Sequence, residues 1–272
     1  MQHTRQIAVI GAGAMGGAFI AGLLARELVQ ATHLIATDVR PERRAELAAQ
    51  HGIVTTDDNR AAVQSADLII LAIKPQLVPS VLPPLRGLLK PDAVCLSIIA
   101  GTRLQTLHDL LEHAPVVRCM PNTPATVGAG MSVWTCAPTV TPEQRDLTQQ
   151  VLQALGKEAY VENEHYLDMA TAVSGSGPAY VFLVLEALID AGVQIGLPRP
   201  LAEQLAQQTL YGAVVYAQTS GQHPALLRNA VTSPGGTTAA GLYALEQGAV
   251  RAAFAACVQA AYQRSQELGN QS

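Results

Sequence analysis

Through the first 160 residues, short unbroken apolar runs alternate with stretches in which apolar positions recur at helical spacing. The runs predict strands at 6–10, 33–37, 53–55, 68–73, 93–99, 115–120, 131–136 and 159–162. Between them, helices are expected at 14–28, 41–50, 103–111 and 141–154, with a further one at 81–89 that Pro83 and Pro84 interrupt. A run such as LIILAI at 68–73 has no polar alternation, as expected of a strand covered on both faces. Strands alternating with helices predict an α/β, doubly wound, mostly parallel sheet.

The pattern changes near residue 164. Beyond it come long Ala/Leu/Gln stretches at 180–191, 198–220, 237–247 and 250–268, separated by SGSGP at 174–178, IGLP at 195–198, SGQHP at 220–224 and SPGG at 233–236. Two domains are therefore expected: 1–163, the sheet, and 164–272, all helical.

Charge sharpens this division. The chain has 17 basic and 21 acidic residues among 272, and charged residues are 14% of the whole, against a usual ~25%. Residues 165–272 carry only 10 of them. The slight acidic excess excludes the basic footprint of a nucleic-acid binder, and the apolar content excludes a disordered chain. A segment so poor in charge hides its surface in an oligomer or enters a membrane. The longest uncharged run, 204–227, is broken by Gln, Thr, Ser, Gly, His and Pro, so the oligomer is the expectation. The N-terminus has no basic, apolar and cleavage-site succession of a secretory leader. Four cysteines without CxxC spacing and seven histidines without ligand spacing suggest free thiols, no metal and a cytoplasmic protein.

The clearest chemical motif is GAGAMG, residues 11–16, directly after the first strand and opening the first helix. That context makes it a dinucleotide fingerprint. Gly11 permits the tight turn, Gly13 lets the backbone approach a pyrophosphate, and Gly16 packs the helix on the strand. Ala14 and Met15 complete the turn, whose helix N-terminus offers N–H groups to phosphates. Asp38, after the second strand, suits a ribose 2′-hydroxyl and hence NADH. Arg40, Arg43 and Arg44 suit a 2′-phosphate. The balance is toward NADPH, with NADH as the alternative. Asn59 adds a hydrogen-bonding group near the same ribose. Because ligands lie beyond the carboxyl ends of such strands, Ala72, Ile73 and Lys74 are cofactor candidates, as are Ala100 and, in the loop MPNTP, Asn122. For Lys74 and Asn122, a solvated side chain and a structural turn are equally good readings.

A second motif is VTSPGGTT, residues 231–238, before the helix at 239–247. Its glycines and consecutive N–H groups form a nest suited to a small carboxylate, with the helix dipole adding partial positive charge. Thr237 is a plausible helix cap, and the Thr238 hydroxyl is placed to bond a neighbouring nitrogen. The alternative is a helix cap after a Gly-Gly turn. SGSGP at 174–178 reads chiefly as the cap and close-packed start of a helix. Neither Lys nor His stands in the SPGGTT loop to act as general acid. Hydride transfer to a ketone needs a proton donor, whereas transfer to a protonated imine does not, so an imine substrate fits better.

These motifs together resemble the pyrroline-5-carboxylate reductase family. The likeness runs through IAVIGAGAMGGAFIAGL, LAIKPQ, RCMPNTPATVGAG, AVSGSGPAYVFL and LRNAVTSPGGTTAAGL, nearly the whole chain. It implies NAD(P)H-dependent reduction of 1-pyrroline-5-carboxylate to L-proline, an N-terminal Rossmann domain and an all-α C-terminal dimerisation domain, with a higher oligomer of dimers allowed. It implies that the substrate carboxylate meets the backbone of Ser233, Gly235, Gly236 and Thr237, that Thr238 partners the ring nitrogen, that Glu164 lies near the substrate, and that Asn59 contacts the adenosine end. Where some members carry a polar cofactor contact just before VTSPGG this chain has Ala230, and Asn229 is its substitute. A rival, a two-domain reductase of hydroxy acids with a catalytic lysine on its second domain, is disfavoured because residues 165–272 contain no lysine.

Overall fold

The computed structural model describes residues 5–270. The first four residues, part of the segment read for a leader, lie outside the described residues, as do the last two. The described chain divides into two compact units, one ending at Ser176 and resuming at Ala261, the other Gly177–Ala260.

In the first unit, elements follow in the order β1 (Ile7–Ile10), α1 (Ala14–Ala25), β2 (Leu34–Thr37), α2 (Pro41–His51), β3 (Val54–Thr56), α3 (Asn59–Gln64), β4 (Leu68–Leu71), α4 (Val78–Val81), β5 (Val94–Ser97), α5 (Leu104–Leu111), β6 (Val116–Met120), β7 (Gly130–Cys136), α6 (Pro142–Gln153), β8 (Gly156–Tyr160) and α7 (His165–Ala170). The strands form one sheet in the order β3-β2-β1-β4-β5-β6-β7-β8. Pairing is parallel except between β6 and β7. The order reverses between β1 and β4, which creates a crevice at their carboxyl ends.

Alternation of side chains explains why β1 and β4 are apolar throughout. Ile7, Val9, Leu68 and Ile70 enter a core with Phe19, Ile20 and Leu23 of α1 and Val151 and Leu152 of α6. Ala8, Ile10, Ile69 and Leu71 enter the opposite core, with Ala62, Val63, Leu107 and Leu111. With helices on both faces, every position of these two strands is buried.

Local chemistry moves several boundaries. The expected helix at 81–89 is instead the single turn α4 and a separate 3-10 turn Pro83–Leu85, because neither proline can donate a helical hydrogen bond. Helix α3 was not foreseen; Asp58 caps it, its carboxylate accepting from Arg60 N and Ala61 N. The last strand is the polar Gly156–Tyr160 rather than 159–162. SGSGP does not cap a new helix: a π-helical stretch, Thr171–Gly175, continues α7 toward the next helix.

The second unit holds α8 (Gly177–Gln194), α9 (Arg199–Ser220), α10 (Pro224–Ala230), α11 (Thr237–Gln247) and the start of α12 (Val250–Asn270). Gly192 allows α8 and α9 to approach, since a Cβ there would lie 3.1 Å from Ala202 Cβ. Large apolar side chains stay exposed, Phe182 at 61% and Tyr243 at 65% among them. That is far more apolar surface than an isolated unit keeps.

His113, at the end of α5, is buried, and its Nε2 lies 2.7 Å from Ala93 O. Burial holds its pKa below the usual histidine value. The unfolded chain therefore binds the extra proton first, and stability falls as pH drops below about 6.5. Urea midpoints should decline between pH 7.5 and 5.5, and His113→Asn should flatten that slope while lowering stability at pH 7.5.

Candidate active site

The turn from β1 to α1 is built on missing side chains. Gly11 has φ +91, and its N–H donates to Thr37 O at 3.0 Å. A Cβ on Gly16 would collide with Gly11 O, and one on Gly11 would lie 2.9 Å from Ala72 O. Gly13 differs: a Cβ there would meet nothing within 4 Å. Gly16 and Gly11 are thus required by packing, and Gly13 faces open space, as a residue approached by a ligand does.

That space is a cleft of about 570 Å³ lined by Gly11, Gly13, Ala14, Thr37, Asp38, Val39, Arg40, Asn59, Ala72, Ile73, Lys74, Leu77 and Val81. It gathers most of the sequence candidates at the crevice. Met15 instead packs against the core beside α1. Ala100 is outside the cleft; its neighbour Gly101 packs against the backbone of Leu268, near the end of α12. Val39, Leu77 and Val81 were not anticipated, since nothing in an apolar residue marks it as lining a groove, and Thr37 reads only as the last residue of a strand.

The ribose end is organised by arginines. Asp38 accepts from Arg40 N (3.0 Å), Nε (3.0 Å) and Nη2 (3.1 Å). The hydrogen bond from Arg40 holds the Asp38 carboxyl below the ordinary carboxylate range. Arg44 Nη1 donates to Asp38 O at 2.8 Å, and Arg43 Nε donates to Ala12 O at 2.7 Å. Arg43 therefore braces the fingerprint turn. It was read only as a phosphate partner because its reach to Ala12 depends on how α2 packs.

Elsewhere in this unit, Arg118 on β6 is buried and meets two carboxylates, Glu164 Oε1 at 2.8 Å and Asp168 Oδ1 at 3.4 Å. Glu164 Oε1 also accepts from Leu104 N at 2.9 Å, and Asp168 Oδ1 from Ser265 Oγ at 3.0 Å. The sequence singles out Glu164 through the family resemblance, but neither Arg118 nor Asp168. Asn122 is engaged on both amide atoms, with Met131 N and Ser174 O. Among the described residues no His/Cys/Asp/Glu group could hold a metal, and the cysteines are free.

In the second unit, the SPGGTT turn leads into α11. Gly235 has φ +68, and Gly236 N donates to Ser233 O at 3.1 Å. The helix cap is Gly236, not Thr237, and no side chain caps the helix. Thr237 and Thr238 stand on its first turn, whose N–H groups are thereby left to a ligand or water. Asn229, near the end of α10, accepts from Thr232 N through its backbone carbonyl, at 3.0 Å.

Fold and cleft together define a dinucleotide-dependent oxidoreductase. Residues 6–101 match the family model described as NADP oxidoreductase coenzyme F420-dependent, and residues 164–268 match pyrroline-5-carboxylate reductase dimerisation. A pyrroline-5-carboxylate reductase of Synechocystis sp. is 40% identical over 97% of this chain and 98% of its own length. The structure of a pyrroline-5-carboxylate reductase from Coxiella burnetii superposes with TM-score 0.90 at 35% identity, covering 98% of this chain and 99% of that one. The Plasmodium falciparum pyrroline carboxylate reductase with NADP bound superposes with TM-score 0.90 at 30% identity, covering 99% and 100%. The chain belongs to the pyrroline-5-carboxylate reductase family.

The two glycines should separate folding from binding. Gly16→Ala is expected to lower stability by about 1–3 kcal/mol through overpacking. Gly13→Ala should leave the melting temperature unchanged and weaken NADPH binding at least ~10-fold, a loss of ~1.4 kcal/mol. Thermal melts and fluorescence titration with NADPH check both.

Proposed function

We propose that the protein reduces 1-pyrroline-5-carboxylate to L-proline with NADPH. The observation that carries this reading is the uncapped first turn of α11, with Thr238 upon it, following a Gly-Gly turn. An uncapped helix N-terminus favours a carboxylate through its N–H groups and dipole. Ser233, Gly235, Gly236 and Thr237 supply that backbone, and the Thr238 hydroxyl engages the ring nitrogen. Bound NADPH supplies the hydride, which adds to the carbon of the C=N bond. The nitrogen of the cyclic iminium already carries its proton and keeps it, becoming the neutral amine as the C=N bond is reduced. No side chain has to deliver a proton in that step. Glu164, held by Arg118 and Leu104 N, joins the substrate surroundings as a fixed carboxylate.

The cofactor assignment rests on Asp38. Its carboxylate is engaged by Arg40, so a ribose hydroxyl would have to displace a guanidinium. A 2′-phosphate meets Arg40 directly. Gly11, Gly13 and Ala14 hold the pyrophosphate, Asn59 the adenosine end, and Ala72, Ile73 and Lys74 the opposite rim. Asn229, which stands where some family members carry a polar contact before VTSPGG, is assigned to the cofactor as well.

The helical run His165–Gln194 has a mean hydropathy of 1.5, enough for a membrane span by composition alone. It lies within the dimerisation model, and we assign the exposed apolar faces of 164–272 to a second copy of the chain rather than to lipid. Dimers then associate further, in the cytoplasm.

Loss of NADPH absorbance on addition of pyrroline-5-carboxylate, with formation of proline, tests the activity. Thr238→Ala should lower kcat/KM for pyrroline-5-carboxylate by about ten- to 150-fold, the weight of one charge-assisted hydrogen bond, with NADPH affinity retained. Unchanged kcat/KM removes Thr238 from the reaction. Arg40→Ala should raise the KM for NADPH about tenfold while that for NADH changes little; an equal effect on both would show that Arg40 does not read the 2′-phosphate.

A further inference from the structure

Two of the arginines that follow Asp38 are placed quite differently. Arg40 lines the cofactor cleft and Arg43 does not. Only 21% of the Arg43 side chain is exposed. Its Nε donates to Ala12 O at 2.7 Å, and its Nη1 pairs with Glu46 Oε2 at 2.9 Å. Its Nη2 lies over Gly17, where an added Cβ would come within 2.5 Å of it. The guanidinium thus occupies the room that Gly17 leaves on the first turn of α1.

The bond to Ala12 matters because of what Gly13 lacks. Gly13 is the cap of α1, and its carbonyl accepts from Gly17 N at 2.8 Å. Ala12 O stands one residue earlier, outside that ladder. It shares a planar peptide with the Gly13 N–H, so the two point in opposite directions. Gly13 lines the cleft and has no side chain to restrict rotation of that peptide. Arg43 restricts it instead: a carbonyl held by a charged donor keeps the N–H of the same plane at one angle. The other end of Ala12 is engaged as well, since the Asp38 carboxylate, bonded foremost to Arg40, is also stabilised by the Ala12 backbone.

We propose that Arg43 is a positioning residue for the cofactor: it fixes the Ala12–Gly13 peptide so that the Gly13 N–H is preset for the pyrophosphate, and it does not read the 2′-phosphate. NADPH and NADH share the pyrophosphate, so Arg43 serves both equally, whereas Arg40 serves the 2′-phosphate alone. A preset donor strengthens binding because its ordering is complete before the ligand arrives. The proposal rests on the cofactor reading above.

Arg43→Met and Arg43→Gln test it together. The methionine keeps an apolar stem and loses every donor. The glutamine carries its amide nitrogen as far along the side chain as arginine carries Nε, so it donates to Ala12 O without a charge. Fluorescence titrations with NADPH and with NADH read the binding, and thermal melts report folding. Arg43→Met should weaken both dinucleotides by the same factor, about tenfold, the lower end of the weight of one charge-assisted hydrogen bond. Arg43→Gln should bring both back to within about threefold of the wild type. Gly17→Ala displaces only the flexible end of Arg43 and suits a helix better than glycine. It should weaken both dinucleotides as Arg43→Met does, with the melting temperature retained, and it carries the comparison if Arg43→Met does not fold. A loss confined to NADPH overturns the proposal, because Arg43 then reads the 2′-phosphate. Equal weakening by methionine and glutamine overturns it, because the charge and not the bond then acts. Wild-type affinities in Arg43→Met or Gly17→Ala leave Arg43 a merely structural residue and overturn it too. If the wild type binds neither dinucleotide, the cofactor reading has failed and the proposal falls with it; if it binds them, the variants judge the proposal alone.

Discussion

One close contact governs the cofactor half of the molecule: the α-carbon of Gly16 lies against the carbonyl of Gly11 with no room for a side chain between. That approach turns the chain from β1 into α1 within a few residues and aims the first helical N–H groups over the carboxyl edge of the sheet. Its consequences spread outward. Gly11 N is held by Thr37 at the end of β2, and Ala72 N donates to Ile10 O, so three strand ends are locked around the turn. Arg43 reaches from α2 to Ala12 O, tying the helix that follows Asp38 to the same loop. The cleft is what remains when these ends are fixed and no side chain fills the space above Gly13.

Much of this was legible because its causes are local. A strand buried on both faces has to be apolar throughout, and LIIL at 68–71 is. A fingerprint turn requires glycine at its two crowded positions. What was not legible depends on distant partners. Helix α3 rests on a six-residue segment with weak periodicity, and its Asp58 cap is one acid among several nearby. The strand at Gly156–Tyr160 is polar because it lies at the sheet edge beside β7, so it lacks the signal that marks the central strands. In the SPGGTT turn, a threonine before a helix suggests a cap, yet Gly236 takes that place. The difference matters chemically: a threonine cap would satisfy the very N–H groups that a carboxylate needs.

The Arg118 cluster illustrates a different limit. One buried guanidinium faces two carboxylates, from the residue before α7 and from α7 itself, and a serine from α12 completes the set. Removing charges from water is costly, and a well-packed apolar set of similar volume is often as stable. Its value here is therefore placement. Charge pairing accepts only one register of α7 on β6 and fixes Glu164 against the start of α5. Such a network cannot be read from sequence, because Arg118 sits inside an otherwise apolar strand, 46 residues from Glu164.

The scarcity of charge beyond residue 164 follows from both tasks assigned to that half. Apolar helix faces such as those carrying Phe182 and Tyr243 are 61% and 65% exposed in the single chain; a partner subunit covers such faces, whereas charges there would each need a desolvated counter-charge. The proposed chemistry permits this economy. A ketone reductase must place a proton donor beside its substrate, and a titratable group in an apolar setting brings its own desolvation penalty. A cyclic iminium arrives with its proton in place. It asks only for N–H groups to hold a carboxylate and a hydroxyl to hold the ring nitrogen. In the proposed reading helix α11 offers both from backbone and threonine alone, so that half can remain nearly free of charge.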